Sequence, residues 1–204
     1  MDLPWGTCGT AAASSSFRKK LQARLDLASQ RGWRGESECG FDISSDLRRS
    51  RLRKAPTTMT YFDSGALVKL YIVEPGSEFV QAKALAANAI SLNQLQETEI
   101  RNAIHAAIGR KMISADAGKR ALEYLANDIR AGVLVLESPD WSSIWSRAAH
   151  LARLHTQKLL CRTLDILHVA AAESCGADLF ITGDVRQFKL CKAVGLPAQL
   201  GPTK

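Results

Sequence analysis

From residue 59 onward the sequence predicts an α/β fold, a three-layer arrangement with a central parallel sheet covered by helices on both faces. Two observations carry this. Short apolar runs such as "TYF", "GVLVLE" and "ADLFIT" are each followed by a segment of helical periodicity. Acidic residues also stand directly behind two of these runs, Asp63 after "TYF" and Asp184 after "LFITG". In folds of this class the ends of the parallel strands are where ligands bind.

Taken in order, "MTYFD" reads as a strand ending in a carboxylate, and "SGALVKLYI" as a helix with Leu67, Leu70 and Tyr71 at helical spacing. A second helix restarts after Pro75 and Gly76. Ile90 to Leu92 suits a very short strand, and residues 93–109 a helix carrying Leu95, Ile100, Ile104 and Ile108. Ser114 caps the next helix, which runs to about Arg130. "GVLVLE" is an apolar strand, and residues 140–156 form a helix with Ile144, Ala148, Leu151 and Ala152 on one side. "TLDILHVAAAESCG" is a helix stopped by Gly176. "ADLFIT" is a strand leading through a turn into the helix of "GDVRQFKLCKAVG", and a last short strand falls near 198–200.

Residues 1–58 differ in character. They hold 11 Lys/Arg against 6 Asp/Glu, so they supply +5 of the formal net charge of +7, and residues 59–204 only +2. The expected organisation is a basic, flexible extension or a mis-assigned start over 1–58, a regular α/β domain over 59–200 and a short tail over 201–204. The abrupt change at Met59 suggests a natural start there. Because the basic excess lies mostly outside the regular segment, overall charge alone does not make that segment a nucleic-acid binder. The five cysteines are odd in number and contain no C-x-x-C pair, which disfavours a zinc ribbon or a disulfide scaffold. They read as free thiols in a reducing compartment. No membrane-length apolar run or secretory leader occurs, so the cytoplasm is the expected location.

The acids carry the chemistry. Asp63 and Asp184 at strand ends can share one crevice, although aspartate there also suits a helix N-cap. Asp165 shares a helix face with Val169 and Ala172, and Glu99 with Leu95 and Ala103. A carboxylate on an apolar face needs a cation, a proton or hydrogen bonds. The other reading is that each acid lies at a helix boundary facing water. Four oxygen donors without a Cys or His cluster favour a hard ion, Mg²⁺ or Mn²⁺.

Residues 59–200 resemble a PIN-domain ribonuclease, in particular the VapC-type toxins of bacterial toxin–antitoxin pairs. The resemblance rests on "YFDSGALVKLYIVEPGSE", "LQETEIRNAI", "RTLDILHVAAA" and "LFITGDVRQFKLCKAVGL" in that order. It implies a PIN-like α/β/α fold and a Mg²⁺- or Mn²⁺-dependent ribonuclease. Asp63, Glu99, Asp165 and Asp184 would be the metal-site and catalytic acids, with Glu97 as the alternate to Glu99 and Ser64 and Thr182 as accessory hydroxyls. It further implies attack by metal-activated water leaving 5′-phosphate and 3′-hydroxyl ends, a homodimer, and a cognate antitoxin as partner beside the RNA substrate.

Arg101, Arg162, Arg186 and Lys189 are candidate RNA contacts, with plain surface charge as the competing reading. His168, three residues after Asp165, resembles a ligand or base, but a packed, hydrogen-bonded histidine is the favoured reading. Trp141 and Trp145 share a helix face suited to packing. Two other functions compete: a metal-dependent DNA nuclease or phosphatase, and a non-catalytic RNA- or antitoxin-binding module. "DSG" lacks the second aspartate of haloacid-dehalogenase-like phosphatases, and the complete acid set disfavours a binding module.

Overall fold

The computed structural model describes residues 58–202 together with the isolated helical positions Lys19 and Gln22. The expectations for residues 1–57, the basic extension and the alternative start, lie outside the described residues apart from those two positions.

Among the described residues five strands, β1 (Thr60–Phe62), β2 (Ile90–Leu92), β3 (Leu134–Leu136), β4 (Leu179–Thr182) and β5 (Ala198–Leu200), form one sheet in the order β3-β2-β1-β4-β5. Every pairing is parallel. Seven helices connect them: α1 (Ser64–Val68), α2 (Ser77–Ala86), α3 (Gln94–Gly109), α4 (Ala115–Arg130), α5 (Trp141–Leu159), α6 (Thr163–Ser174) and α7 (Val185–Val194). This is the PIN-like α/β/α arrangement expected from the sequence.

The alternation of side chains along each strand divides the core in two. On one face Phe62 and Ile181 pack with Leu67, Ile100, Ile104 and Leu125, from α1, α3 and α4. On the other, Tyr61 and Phe180 pack with Ile144, Leu151, Val169 and Leu190, from α5, α6 and α7. Tyr61 and Phe180 stack with ring centroids 5.2 Å apart. Both faces of the central strands are therefore dry, which is why "TYF" and "LFIT" read as continuous apolar runs.

The elements fall where the periodicity places them, with two differences. The helix expected over "SGALVKLYI" stops at Val68. Lys69, Leu70 and Tyr71 instead donate to carbonyls three residues back, in tight turns. A continued α-helix would have to turn one face to solvent. The turns let Leu67 through Ile72 all stay buried, while Lys69 Nζ donates to the Pro75 carbonyl at 2.6 Å. At the other difference, α5 runs to Leu159, three residues beyond the expected end, and stops where Leu160 takes a left-handed backbone at φ 53°. Cys161 and Cys191 are buried and Cys175 partly so; all three are free thiols, as expected for the described residues. Among these residues no helix is long and apolar enough to cross a membrane.

Candidate active site

Strand register brings the first two candidates together. Phe62 lies opposite Ile181 in the β1–β4 ladder, and the Asp63 N–H continues it by donating to the Ile181 carbonyl at 3.0 Å. Asp63 and Thr182 therefore emerge side by side at the C-terminal edge of the sheet. The Thr182 hydroxyl donates to Asp63 Oδ2 at 2.5 Å, and the Ala66 N–H donates to Asp63 Oδ1 at 2.5 Å. Burial pushes the Asp63 carboxyl above its ordinary value. The hydrogen bonds from Thr182, Ala66 and Gly183, and the neighbouring His168, offset this only in part.

Glu99 comes from the middle of α3 and is only partly exposed. One of its oxygens, Oε2, is the focus of two donors: the Ser64 hydroxyl at 2.7 Å and His168 Nε2 at 2.6 Å. Burial raises the Glu99 carboxyl, but the His168 bond and then that of Ser64 outweigh it and hold the group below its ordinary value. The alternate, Glu97, lies elsewhere: it accepts two bonds from Arg101, at 2.9 and 2.7 Å, one helical turn away. The geometry thus selects Glu99 over Glu97, and it ties Arg101 to Glu97.

Asp165 stands at the third position of α6, 6% exposed. Its Oδ2 accepts the Arg162 N–H at 2.8 Å, and Gln187 Nε2 approaches Oδ1 at 3.4 Å. Asp184 caps α7 and accepts the Arg186 N–H at 2.6 Å. The guanidinium of Arg186 lies on both acids, 3.1 Å from Asp184 Oδ2 and 3.8 Å from Asp165 Oδ2. Burial raises the Asp184 carboxyl, but Arg186 overcomes this and holds it below its ordinary value.

For Asp63 and Asp184 a shared sheet edge and a helix cap are compatible; Asp165 stands at a helix boundary but is buried rather than facing water, and Glu99 lies inside α3. Asp63 and Asp184 are helix N-caps, and Asp165 closes the first turn of its own helix. The helices they serve begin at the same sheet edge, so capping is what aims the carboxylates there. Both accessory hydroxyls, Ser64 and Thr182, touch acids of the set. Of the four basic candidates, Arg186 reaches the acids with its side chain. Arg162 meets Asp165 through its backbone, and Arg162 and Lys189 are exposed.

Sequence reasoning missed Gln187. It is buried, and its amide lies between Thr182, with Oε1 3.0 Å from the hydroxyl, and Asp165. A signal was present: Gln187 sits three and four residues before Leu190 and Cys191, on the buried side of α7. Asn93 and Gln96 were also passed over. They form a capping box at the start of α3, and Gln96, fully buried, donates to the Phe62 carbonyl at 2.7 Å beside Asp63.

As a donor set, these oxygens suit Mg²⁺ or Mn²⁺ in kind. In arrangement they are engaged with protein donors, and among the described residues no three His, Cys, Asp or Glu side chains converge as a group that could hold an ion. Arg186 supplies the positive charge beside Asp165 and Asp184, and His168 the donor at Glu99.

No protein-family model matches the sequence, and no curated protein does. Solved structures do match. VapBC2 from Rickettsia felis, solved bound to a DNA fragment from its promoter, matches at a TM-score of 0.51 and 15% identity, over 71% of this chain and 100% of the matched chain. FitAcB from Neisseria gonorrhoeae matches at a TM-score of 0.50 and 16% identity, over 69% of this chain and 96% of the other. At such identities the likeness is one of fold: this chain has the architecture of the matched chains.

Proposed function

We propose that the protein is a metal-dependent ribonuclease acting as the toxin of a toxin–antitoxin pair. The observation that carries the reading is a network of hydrogen bonds and ion pairs that links the acids at one sheet edge. Asp63 is tied through Thr182 and Gln187 to Asp165, with Asp184 joined by Arg186 and Glu99 joined through Ser64 of the neighbouring helix. Asp63, Glu99, Asp165 and Asp184 are the residues that would hold Mg²⁺ or Mn²⁺. When bound, such an ion supplies Lewis acidity at a phosphate oxygen and lowers the pKa of water.

The chain's own residues have separable tasks. Thr182 orients Asp63, and Gln187 spaces Thr182 from Asp165. Ser64 holds Glu99. Arg186 is the cation nearest the acids and is suited to pair with a backbone phosphate when it leaves Asp184. Lys189, exposed on the same helix, and Arg162 extend that positive surface; Arg101 contributes once released from Glu97. A homodimer and an antitoxin partner belong to this reading; the fold likeness to VapBC2 and FitAcB supports the partner. A cytoplasmic location fits the free thiols.

The test is cleavage of total RNA by purified, antitoxin-free protein with Mg²⁺ or Mn²⁺ and with EDTA, beside an Asp63→Asn, Asp165→Asn double variant. Discrete products requiring both the metal and the acids support the reading. Cleavage of DNA or of a phosphomonoester instead would move it to another phosphoesterase, and inertness toward all three would leave a binding module.

A further inference from the structure

His168 is 2% exposed, on the buried face of α6, and both of its ring nitrogens have partners. Nδ1 lies 2.9 Å from the Tyr61 hydroxyl, and Nε2 lies 2.6 Å from Glu99 Oε2. Behind Tyr61, Asn93 Nδ2 donates to the same hydroxyl at 3.3 Å. The chain of contacts runs from the end of β2, through β1 and α6, to α3. Its direction follows from counting protons. The Asn93 amide nitrogen can only donate, so the Tyr61 oxygen accepts there. The single Tyr61 proton then goes to His168 Nδ1, which must be the unprotonated nitrogen. That leaves the ring proton on Nε2, facing the carboxylate. The opposite tautomer would put two donors on the Tyr61 oxygen, strand its proton in a dry pocket and set a lone pair against Glu99.

The consequence falls on Glu99. His168 and Ser64 both bind Oε2, and among the described residues no donor is hydrogen-bonded to Oε1. We propose that His168 is a positioning residue: Tyr61 and Asn93 set its tautomer so that Nε2–H clamps Glu99 Oε2 and presents Oε1 to the site. His168 thus touches neither ion nor substrate, and acts through Glu99 as a carboxylate-orienting partner does in metal sites. The importance of that orientation rests on the proposed ribonuclease reading; the tautomer and the clamp do not.

The experiment has two arms on the full chain. In the first, ¹⁵N spectra of the side-chain imidazoles are recorded on wild type, Tyr61→Phe and Glu99→Gln, without metal or RNA. A pyrrole-type Nε2 and a pyridine-type Nδ1 are expected for His168 in wild type. Tyr61→Phe should shift the Nδ1 signal, because its donor is lost while the Glu99 carboxylate still holds the proton on Nε2, and Glu99→Gln should shift the Nε2 signal. In the second arm, Mn²⁺ affinity by electron paramagnetic resonance and cleavage kinetics compare His168→Gln, His168→Asn and His168→Leu. Gln can place an N–H near the Nε2 position, whereas Asn matches Nδ1 and falls short of Glu99. Gln should therefore restore most of what Leu removes, and Asn should not. The loss in Leu and Asn should be about 10- to 100-fold in Mn²⁺ affinity or kcat. An Nδ1–H tautomer in wild type overturns the proposal, and so do equal losses in all three variants or no loss in Leu. Wild type that neither binds Mn²⁺ nor cleaves RNA would instead defeat the ribonuclease reading, and the first arm would still judge the clamp.

Discussion

Replacing Asp63 by asparagine should make the protein more stable while abolishing its proposed activity. The argument begins with Thr182, whose hydroxyl has one proton and three polar neighbours. It accepts the Asp184 N–H at 2.8 Å and faces Asp63 Oδ2 at 2.5 Å and Gln187 Oε1 at 3.0 Å, both acceptors when Asp63 is ionised. One contact is then short of a proton. An amide at position 63 keeps an acceptor for the Ala66 N–H and donates to Thr182, freeing the hydroxyl proton for Gln187. It also removes a buried charge, whose effective cost is several kcal/mol. The contacts to Ala66 and Thr182 persist but lose their charge assistance, roughly 1 kcal/mol each. The raised Asp63 carboxyl says that burial wins this contest. The net gain should be on the order of 1 kcal/mol, or about 2–4 °C in Tm for a chain of this size.

The gain has a signature in pH. A carboxyl raised in the folded state keeps its proton to higher pH than in the unfolded chain. Between the two values the native state binds more protons, so wild-type stability falls as pH rises through that window. The advantage of Asp63→Asn should be small below the unfolded value, about 3.9. It should grow across the window and level off above the folded value. Urea unfolding of both proteins over a pH series, in EDTA, measures it. A variant less stable than wild type at neutral pH, or an advantage that does not change with pH, would refute the reasoning. Saturating Mn²⁺ should stabilise wild type and not the variant, by mass action on the native state.

Other outcomes follow from the same contacts. Glu97→Gln should cost no more than about 0.5 kcal/mol, the worth of a partly exposed pair one turn apart, and should not reduce cleavage, whereas Glu99→Gln should remove it; parallel kinetics and denaturation decide it. Gly118→Ala should destabilise by about 1–3 kcal/mol, because the added Cβ would meet the Ile108 side chain, its Cγ1 at 2.7 Å, and overpacking outweighs the helix propensity gained. Gly109→Ala, with nothing within 4 Å, should instead stabilise by roughly 0.5–1 kcal/mol, so the two variants should move Tm in opposite directions. Gln187→Leu should cost about 1–3 kcal/mol by taking a donor from the buried Asp165 carboxylate, and should reduce cleavage; retention of both would remove Gln187 from the site.

Much of this was legible in the sequence because it depends on short-range pattern. Apolar runs doubly buried in a parallel sheet, caps such as Ser114 and the periodicity of α3 and α6 are local consequences of side-chain spacing. So is the position of Asp63 and Asp184 behind their strands. The premise that an acid on an apolar helix face marks a site was less secure. Asp128 on α4 is as buried as Asp63, and it is answered by the Tyr71 hydroxyl at 2.9 Å from a distant turn. What only the tertiary structure decided is which groups meet. The choice of Glu99 over Glu97, the placement of Arg186 rather than Arg101 on the acids, the Gln187 bridge and the Asn93–Tyr61–His168–Glu99 chain all join residues from different elements. Such contacts depend on strand register and helix rotation, which the periodicity of a single segment does not specify. The sequence by itself determined the layers and the edge of the sheet at which the acids emerge; packing, which depends on register and helix rotation, determined their partners.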